Sequence, residues 1–182
     1  MSVVRLISGR FGGRRIAAPD NQRTHPMGER VRSALFNMIA VEGKEVLDVF
    51  AGTGALGLEA LSRGAARATF IEKDRIAQRI LTENIMELGV DDEAKLIKAS
   101  AAAWMTSSPN AQFDTIFCDP PYRDMQLSTV VKLFKHLKPN GLMVLSHPGR
   151  GEAPTANGVV VVDNRKYGDA ALTFYRREAT EG

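Results

Sequence analysis

The sequence predicts an α/β fold, a mostly parallel sheet with helices on both faces, preceded by a short extension of different character. Two observations carry this. From about residue 44 onward, short apolar runs of strand length alternate with longer stretches whose apolar residues recur every three or four positions, the arrangement that builds βα units. At 182 residues, 44% of them apolar, the chain can bury one good core with a small appendage.

The elements follow in order. The first 43 residues hold two strand-like pieces, Val3 to Ile7 and Arg14 to Ala17, a loop at Asn21 to Pro26, and a helix from Glu29 that carries Val31, Leu35 and Met38. The expected division is residues 1–43 for this basic extension and 44–182 for the main domain. In the latter, Lys44 to Phe50 reads as a buried strand, Ala55 to Arg63 as a helix and Ala68 to Glu72 as the next strand. Asp74 to Leu88 is a helix with Asp74 as N-cap, Gly89 as its stop, and Ile76, Ile80, Leu81, Ile85 and Leu88 along one side. Lys95 to Lys98 and Phe113 to Cys118 are further strands. Leu127, Val130, Val131, Phe134 and Leu137 form the stripe of a helix ended by Pro139-Asn140-Gly141. Leu142 to Ser146, Val159 to Val162 and Ala171 to Tyr175 supply late strands.

Charge is unevenly spread. The net charge is +3, yet residues 1–32 hold seven arginines (5, 10, 14, 15, 23, 30 and 32) against Asp20 and Glu29. A basic arm on a near-neutral body points to a polyanionic partner, with Arg10, Arg14, Arg15, Arg30 and Arg32 as the candidate phosphate contacts. One cysteine excludes an internal disulfide framework, and the apolar stretch at Val3 to Ile7 is short and interrupted by Arg5, so neither a signal peptide nor a membrane span is expected. With no cluster of metal-ligating side chains in view, the expectation is a metal-independent cytoplasmic protein, taken as a monomer.

Two motifs carry chemistry. Asp119-Pro120-Pro121-Tyr122 follows the apolar run Thr115 to Cys118. A strand that stops on an acid and two prolines cannot extend its ladder, which leaves carbonyls free beside a carboxylate and an aromatic ring. A flat ligand bearing an NH2 group could be held by its edge and stacked on its face, which suits chemistry on a nucleobase amine. The second motif is Asp48-Val49-Phe50-Ala51-Gly52-Thr53-Gly54-Ala55-Leu56-Gly57. On spacing alone Gly52, Gly54 and Gly57 match the dinucleotide fingerprint, with Glu72 placed to accept ribose hydroxyls. A nicotinamide enzyme therefore stays open. Against it stand the missing second substrate domain and Asp48, an acid that suits a cationic ligand better than a pyrophosphate; S-adenosylmethionine has a sulfonium and an ammonium group and no phosphate.

The chain resembles the class I S-adenosylmethionine-dependent methyltransferases, and among them the bacterial 16S ribosomal RNA guanine-N2 methyltransferases of the RsmD type. The family resemblance rests on Arg5-Leu6-Ile7-Ser8-Gly9, Gly12-Gly13-Arg14-Arg15, Arg30 to Asn37, Phe50 to Ala60, Ser62-Arg63-Gly64-Ala65, Asp119 to Tyr122 and Tyr167-Gly168-Asp169. It implies a Rossmann-like, seven-stranded sheet whose last strand is antiparallel. It also implies roles: Glu72 for the ribose hydroxyls, Asp48 and the turn at Gly52 and Gly54 for the methionine end, and Ser100 with Ala101 for the adenine edge, with Phe50 and Lys73 as further cofactor contacts. Asp119 and the Pro120 carbonyl would accept hydrogens from the exocyclic amine while Tyr122 stacks on the extruded base. The products would be methylated 16S rRNA, free or in a small-subunit assembly particle, and S-adenosylhomocysteine.

The chain departs from the family where it has His25-Pro26-Met27-Gly28-Glu29 in place of Arg-Pro-Thr-Thr-Asp, at Ser100 in place of Asp or Asn, and at His147 in place of an acid. Cys118 and Trp104 read as core residues, His25 as a loop residue, and Lys132, Lys135 and Lys138 as complements to a helix C-terminus. The residues alone leave three other readings: an adenine-N6 methyltransferase, a non-catalytic RNA-binding module on the same scaffold, and a nicotinamide-dependent enzyme.

Overall fold

The computed structural model describes residues 2–19, 27–151 and 153–179; His25 and the expected loop at 21–26 lie outside them. An antiparallel hairpin of β1 (Ser2–Arg5) and β2 (Arg15–Ala18) leads through α1 (Glu29–Met38) to the main sheet. There follow β3 (Glu45–Val49), α2 (Ala55–Ser62), β4 (Arg67–Glu72), α3 (Arg75–Leu88), β5 (Ala94–Lys98), α4 (Ala101–Ser107), β6 (Phe113–Cys118), α5 (Leu127–Leu133), β7 (Leu137–His147), β8 (Val159–Tyr167) and β9 (Ala170–Arg177). The seven strands lie in the order β5-β4-β3-β6-β7-β9-β8. β3 to β7 are parallel, while β9 runs antiparallel between β7 and β8. The chain steps outward from β3 to β5, then crosses back to start β6 beside β3. Ligands of open α/β sheets bind at such a switch point, beyond the carboxyl ends of the two strands.

Strand alternation sends successive side chains to two apolar layers. Val46, Phe70, Phe117 and Phe174 pack with Leu58 and Leu61 of α2, Leu81 of α3 and Leu35 and Phe36 of α1. Leu47, Val49, Ile71, Ile116, Met143 and Tyr175 pack with Trp104 of α4 and Val130 and Leu133 of α5. Cys118 and Trp104 are core residues, 1% and 4% exposed.

Several boundaries differ from those read in the sequence. The stripe from Leu127 does not run to Leu137: α5 stops at Leu133, one 3-10 turn covers Phe134–His136, and Leu137 already pairs with Phe113. Pairing resumes at Thr115 with Leu142, so Lys138 to Gly141 bulge out of β7 instead of ending a helix, with Asn140 at φ +66°. Lys138 there pairs with Glu45 and Asp114, both 3.5 Å away. β8 extends through polar Asp163 to Tyr167 because it is the sheet edge, where side chains on both faces can meet water. Ile76 and Leu127, expected on apolar stripes, are exposed, each in the first turn of its helix.

A buried carboxylate fixes the N-terminal segment to this body. Glu59, fully buried in α2, accepts from the backbone N–H groups of Ile7 (2.8 Å) and Ser8 (3.2 Å), from Arg32 of α1 (3.3 Å) and from Arg63 (2.9 Å). Arg32 also donates to the Arg5 carbonyl at 2.9 Å. One turn later the Ser62 hydroxyl donates to the Ser8 carbonyl and accepts from the Phe11 N–H. Gly9 is required beside it: at φ +85°, a Cβ there would stand 1.9 Å from the Ser62 carbonyl oxygen. Further along, Asn84 of α3 accepts from the Ala17 N–H (2.9 Å) and donates to the carbonyls of Ala17 and Thr53 (3.0 Å each), joining β2 to the glycine-rich loop.

Removing one partner of a buried charge pair costs about 3 to 5 kcal/mol, because the other charge is left uncompensated. Glu59→Ala should therefore lower the urea midpoint by an amount of that order with little change in m, and Arg32→Met/Glu59→Leu should lose markedly less. A midpoint shift worth under about 1 kcal/mol in the single variant would show that the network does not hold the extension in place.

Candidate active site

The site is built where β3 and β6 end side by side, Val49 opposite Cys118. Past Val49 the chain turns sharply: Phe50 takes φ +61°, uncommon for a residue with a Cβ, and the Ala51 N–H bonds the Ile71 carbonyl at 3.0 Å. Gly52 and Gly54 follow at φ +58° and +89°, and Gly54 starts α2. A side chain on Gly54 would meet Leu81 at 2.3 Å, and one on Gly57 the Phe70 ring at the same distance. The first two glycines thus shape the turn, and the third lets the helix lie close to the sheet.

Glu72, the last residue of β4, clamps this turn. One carboxylate oxygen accepts from the Gly52 N–H and the other from the Asp74 N–H, each at 2.7 Å. Each oxygen keeps a further lone pair for a hydroxyl. Phe50, Ile71, Glu72, Lys73, Ala99, Ser100, Ala101 and Gln126 line one pocket, which brings together five of the residues expected to hold the donor. Ser100 is the N-cap of α4: its oxygen accepts from the Ala103 N–H at 3.1 Å, which leaves its hydrogen to donate.

Asp48 requires a correction. The sequence placed it against the methionine end of the donor, but only 1% of it is exposed and its Oδ2 accepts from the Gly57 N–H at 3.0 Å, in the first turn of α2. Burial pushes its pKa well above the usual carboxylate range, and the charges of Asp119 and Glu72 push the same way. Asp48 secures the helix start from beneath. Phe50, Gly52 and Thr53, which follow it, are partly exposed, and Phe50 lines the pocket.

At the end of β6, Asp119 is partly buried, and its Oδ1 is shut from water without a hydrogen-bond partner among the described residues. Burial raises its pKa to about 7, opposed by a bond from the Ser146 hydroxyl. Pro120 is buried, and the Asp124 N–H closes a turn onto the Pro121 carbonyl at 2.9 Å. The Tyr122 hydroxyl lies 2.6 Å from Ser146 Oγ, which fixes the ring beside Asp119. A buried acceptor lacking its donor, next to a held aromatic ring, is what an amine-bearing base would complete.

Ser146, Asn84 and Gln126 escaped the sequence reading, as did the strained backbone of Phe50, a residue named only as a donor contact. The first two left a signal. Ser146 is a polar residue inside an apolar strand, and Asn84 falls on the buried face of α3, four residues from both Ile80 and Leu88. Gln126 at φ +50° and Phe50 left none, since backbone conformation is not written in residue type.

The candidate RNA contacts separate. Arg32 is withdrawn: it is 1% exposed and committed to Glu59, so no phosphate can reach it. Arg10 pairs with Glu93 just ahead of β5, and Arg14 donates to the Glu87 carbonyl in the last turn of α3 at 3.1 Å. Both lie over the Phe11 ring. These contacts set the hairpin tip at the edge where the parallel strands begin, opposite the edge that carries Asp119. Arg15 and Arg30 are exposed.

A glycine turn and a partly buried Asp-Pro-Pro-Tyr acid that meet at the switch point of this sheet characterise the class I S-adenosylmethionine-dependent methyltransferases. Comparison with known proteins narrows the class. The family model described as Conserved hypothetical protein 95 matches residues 4–176. Ribosomal RNA small subunit methyltransferase D of Escherichia coli strain K12 is 34% identical over 185 residues, covering 97% of this chain and 91% of that one. YlbH of Bacillus subtilis strain 168 is 31% identical over 182 residues, covering 96% and 99%. The solved structure of Escherichia coli yhhF superposes with a TM-score of 0.88 at 32% identity, over 98% of this chain and 100% of that one. The chain belongs to this family, that of the RsmD-type ribosomal RNA methyltransferases.

Asp119 should cost the fold stability. Its carboxyl binds a proton in the folded state up to about pH 7, while the unfolded carboxyl ionises near its ordinary pKa of 3.8, so its contribution falls as pH rises between those values. Asp119→Asn should resist urea better than the parent at pH 8, with the gap shrinking toward pH 5; a gap that does not change with pH would refute a neutral, buried Asp119.

Proposed function

We propose that the protein transfers a methyl group from S-adenosylmethionine to the exocyclic N2 amine of a guanine in small-subunit ribosomal RNA. The observation that carries this is Asp119, an orphaned buried acceptor beside a donor pocket, in a chain of this family. S-adenosylmethionine, when bound, supplies a methyl group on a cationic sulfur. The residues present fit it: Glu72 has free lone pairs for two hydroxyls, the Phe50 to Gly54 turn offers backbone to the methionine end, and Ser100 with Ala101 offers a hydroxyl and a helix N-terminus to the adenine edge. Lys73 lines the same pocket.

At the acceptor side, Asp119 and the Pro120 carbonyl accept the amine hydrogens, which turns the nitrogen lone pair toward the methyl carbon. Tyr122 holds the base by its face. No covalent intermediate is needed; alignment does most of the work, and model reactions allow it roughly 7 to 11 kcal/mol. The released proton passes to Asp119 or to water. The reading includes cytoplasmic residence, a monomer, and 16S rRNA, free or within an assembly particle, as substrate. No helix among the described residues is long and apolar enough to cross a membrane.

Labelled S-adenosylmethionine and small subunits from a strain lacking the protein test this directly: digestion of the RNA should yield N2-methylguanosine, and N6-methyladenosine would keep the chemistry but change the acceptor. Asp119→Ala should abolish turnover with S-adenosylhomocysteine affinity kept within a few fold, and full activity in it would refute the role. Because the carboxylate is the accepting form, kcat/KM should fall as pH drops below about 7.

A further inference from the structure

The sheet order places three unassigned cations on the edge that carries Asp119. Cys118 of β6 pairs with Leu145 of β7, and Arg123 and Arg150 each stand five residues beyond that pair, on loops that leave neighbouring strands at the same edge. Across the next strands His147 pairs with Ala171 and Ala171 with Lys166, so Lys166 of β8 closes the row. Its Cε comes within 3.9 Å of where a side chain on Gly149 would stand, so its stem lies against the loop that bears Arg150. All three are exposed, and none has an ion-pair partner among the described residues, whereas Arg5 and Arg10 of the arm are paired. Asp124 beside Arg123 and Asp169 in the turn after β8 form no ion pair with them among the described residues.

Each loop is tied where it leaves its strand. The Gly149 N–H donates to His147 Nδ1 at 3.1 Å, so Nε2 carries the proton and donates to Thr173 Oγ1 at 2.8 Å, and the Thr173 hydroxyl in turn donates to Asn164 Oδ1 at 3.1 Å. Burial favours this neutral imidazole. On the other side Arg123 follows Tyr122, tied to Ser146. Three cations, two on loops and one on β8, beside a site that must receive a base from a polyanion offset the repulsion from Asp119 and can hold the backbone as the base turns out.

We propose that Arg123, Arg150 and Lys166 form an RNA-binding surface at the mouth of the cleft, which grips the phosphates flanking the target nucleotide. It rests on the RNA methyltransferase reading, and it assigns the contacts nearest the chemistry to this rim instead of the arm. The test uses small subunits from a strain lacking the protein and measures binding between 50 and 200 mM salt for the parent, for Arg123→Gln/Arg150→Gln/Lys166→Gln, and for Arg14→Glu/Arg15→Glu. The rim variant should bind more weakly, with the log–log salt slope reduced by about 2 to 3 and KM for subunits raised more than kcat is lowered. Its S-adenosylhomocysteine affinity, read by calorimetry, should stay within about twofold of the parent, as it must if only phosphate contacts are lost. A parental salt slope in the rim variant, or a larger loss of slope in the arm variant, would overturn the assignment while parental methylation upheld the enzyme reading. Absence of binding and methylation in the parent itself would overturn both.

Discussion

One buried carboxylate holds this architecture together. Glu59 sits where the hairpin, α1 and α2 meet, and its two oxygens receive four donors from three segments of chain. An ion in the interior is tolerated only when its lone pairs are filled, so the hairpin and Arg32 cannot leave without exposing a large desolvation cost. The consequence reaches the donor site. With β2 docked, Asn84 can span from Ala17 to the Thr53 carbonyl, so the glycine turn is supported from behind by the N-terminal segment. What the sequence shows as an appendage is therefore part of the frame that shapes the cofactor turn.

The cleft itself is a place where stability yields to chemistry. Asp48, Glu72 and Asp119 all lie near the ends of adjacent strands, and each meets its charge differently. Glu72 is stabilised by two backbone donors, Asp48 by one donor at a helix start, and Asp119 has an oxygen with none. The least satisfied of the three is the one proposed to receive the substrate amine. A left-handed Phe50 adds backbone strain at the same point. Such concentration of unfavourable local choices against a well-packed body is expected of a functional site.

The far edge of the sheet has a different role. There Arg10 and Arg14 seal the hairpin tip to the end of α3 and the start of β5. An exposed ion pair such as Arg10–Glu93 contributes little to stability, and both arginines can exchange partners for phosphate, so a large RNA particle could still meet them. The proposed chemistry, however, belongs to the other edge, among residues whose positions depend on how β6 to β9 are ordered.

Sequence alone determined the α/β alternation, the Asp74 and Gly89 caps of α3, the glycine turn and Asp-Pro-Pro-Tyr, because each is a local rule: periodicity, a cap, a required positive φ, a missing N–H. It also delivered most of the pocket, since Phe50, Glu72, Lys73, Ser100 and Ala101 sit at strand ends that the alternation locates. It failed where the deciding neighbour is distant in the chain. Arg32 read as a surface cation because nothing nearby announces Glu59, and Asp48 read as a ligand because its burial depends on α2 folding back over it. Leu137 read as helical because its apolar spacing fits either period, and only its pairing with Phe113 makes it a strand. Ser146 and the row of cations at the cleft acquire meaning solely from the sheet order, which brings β6, β7, β9 and β8 together across residues far apart in sequence, and Asn84 from the docking of β2 against α3.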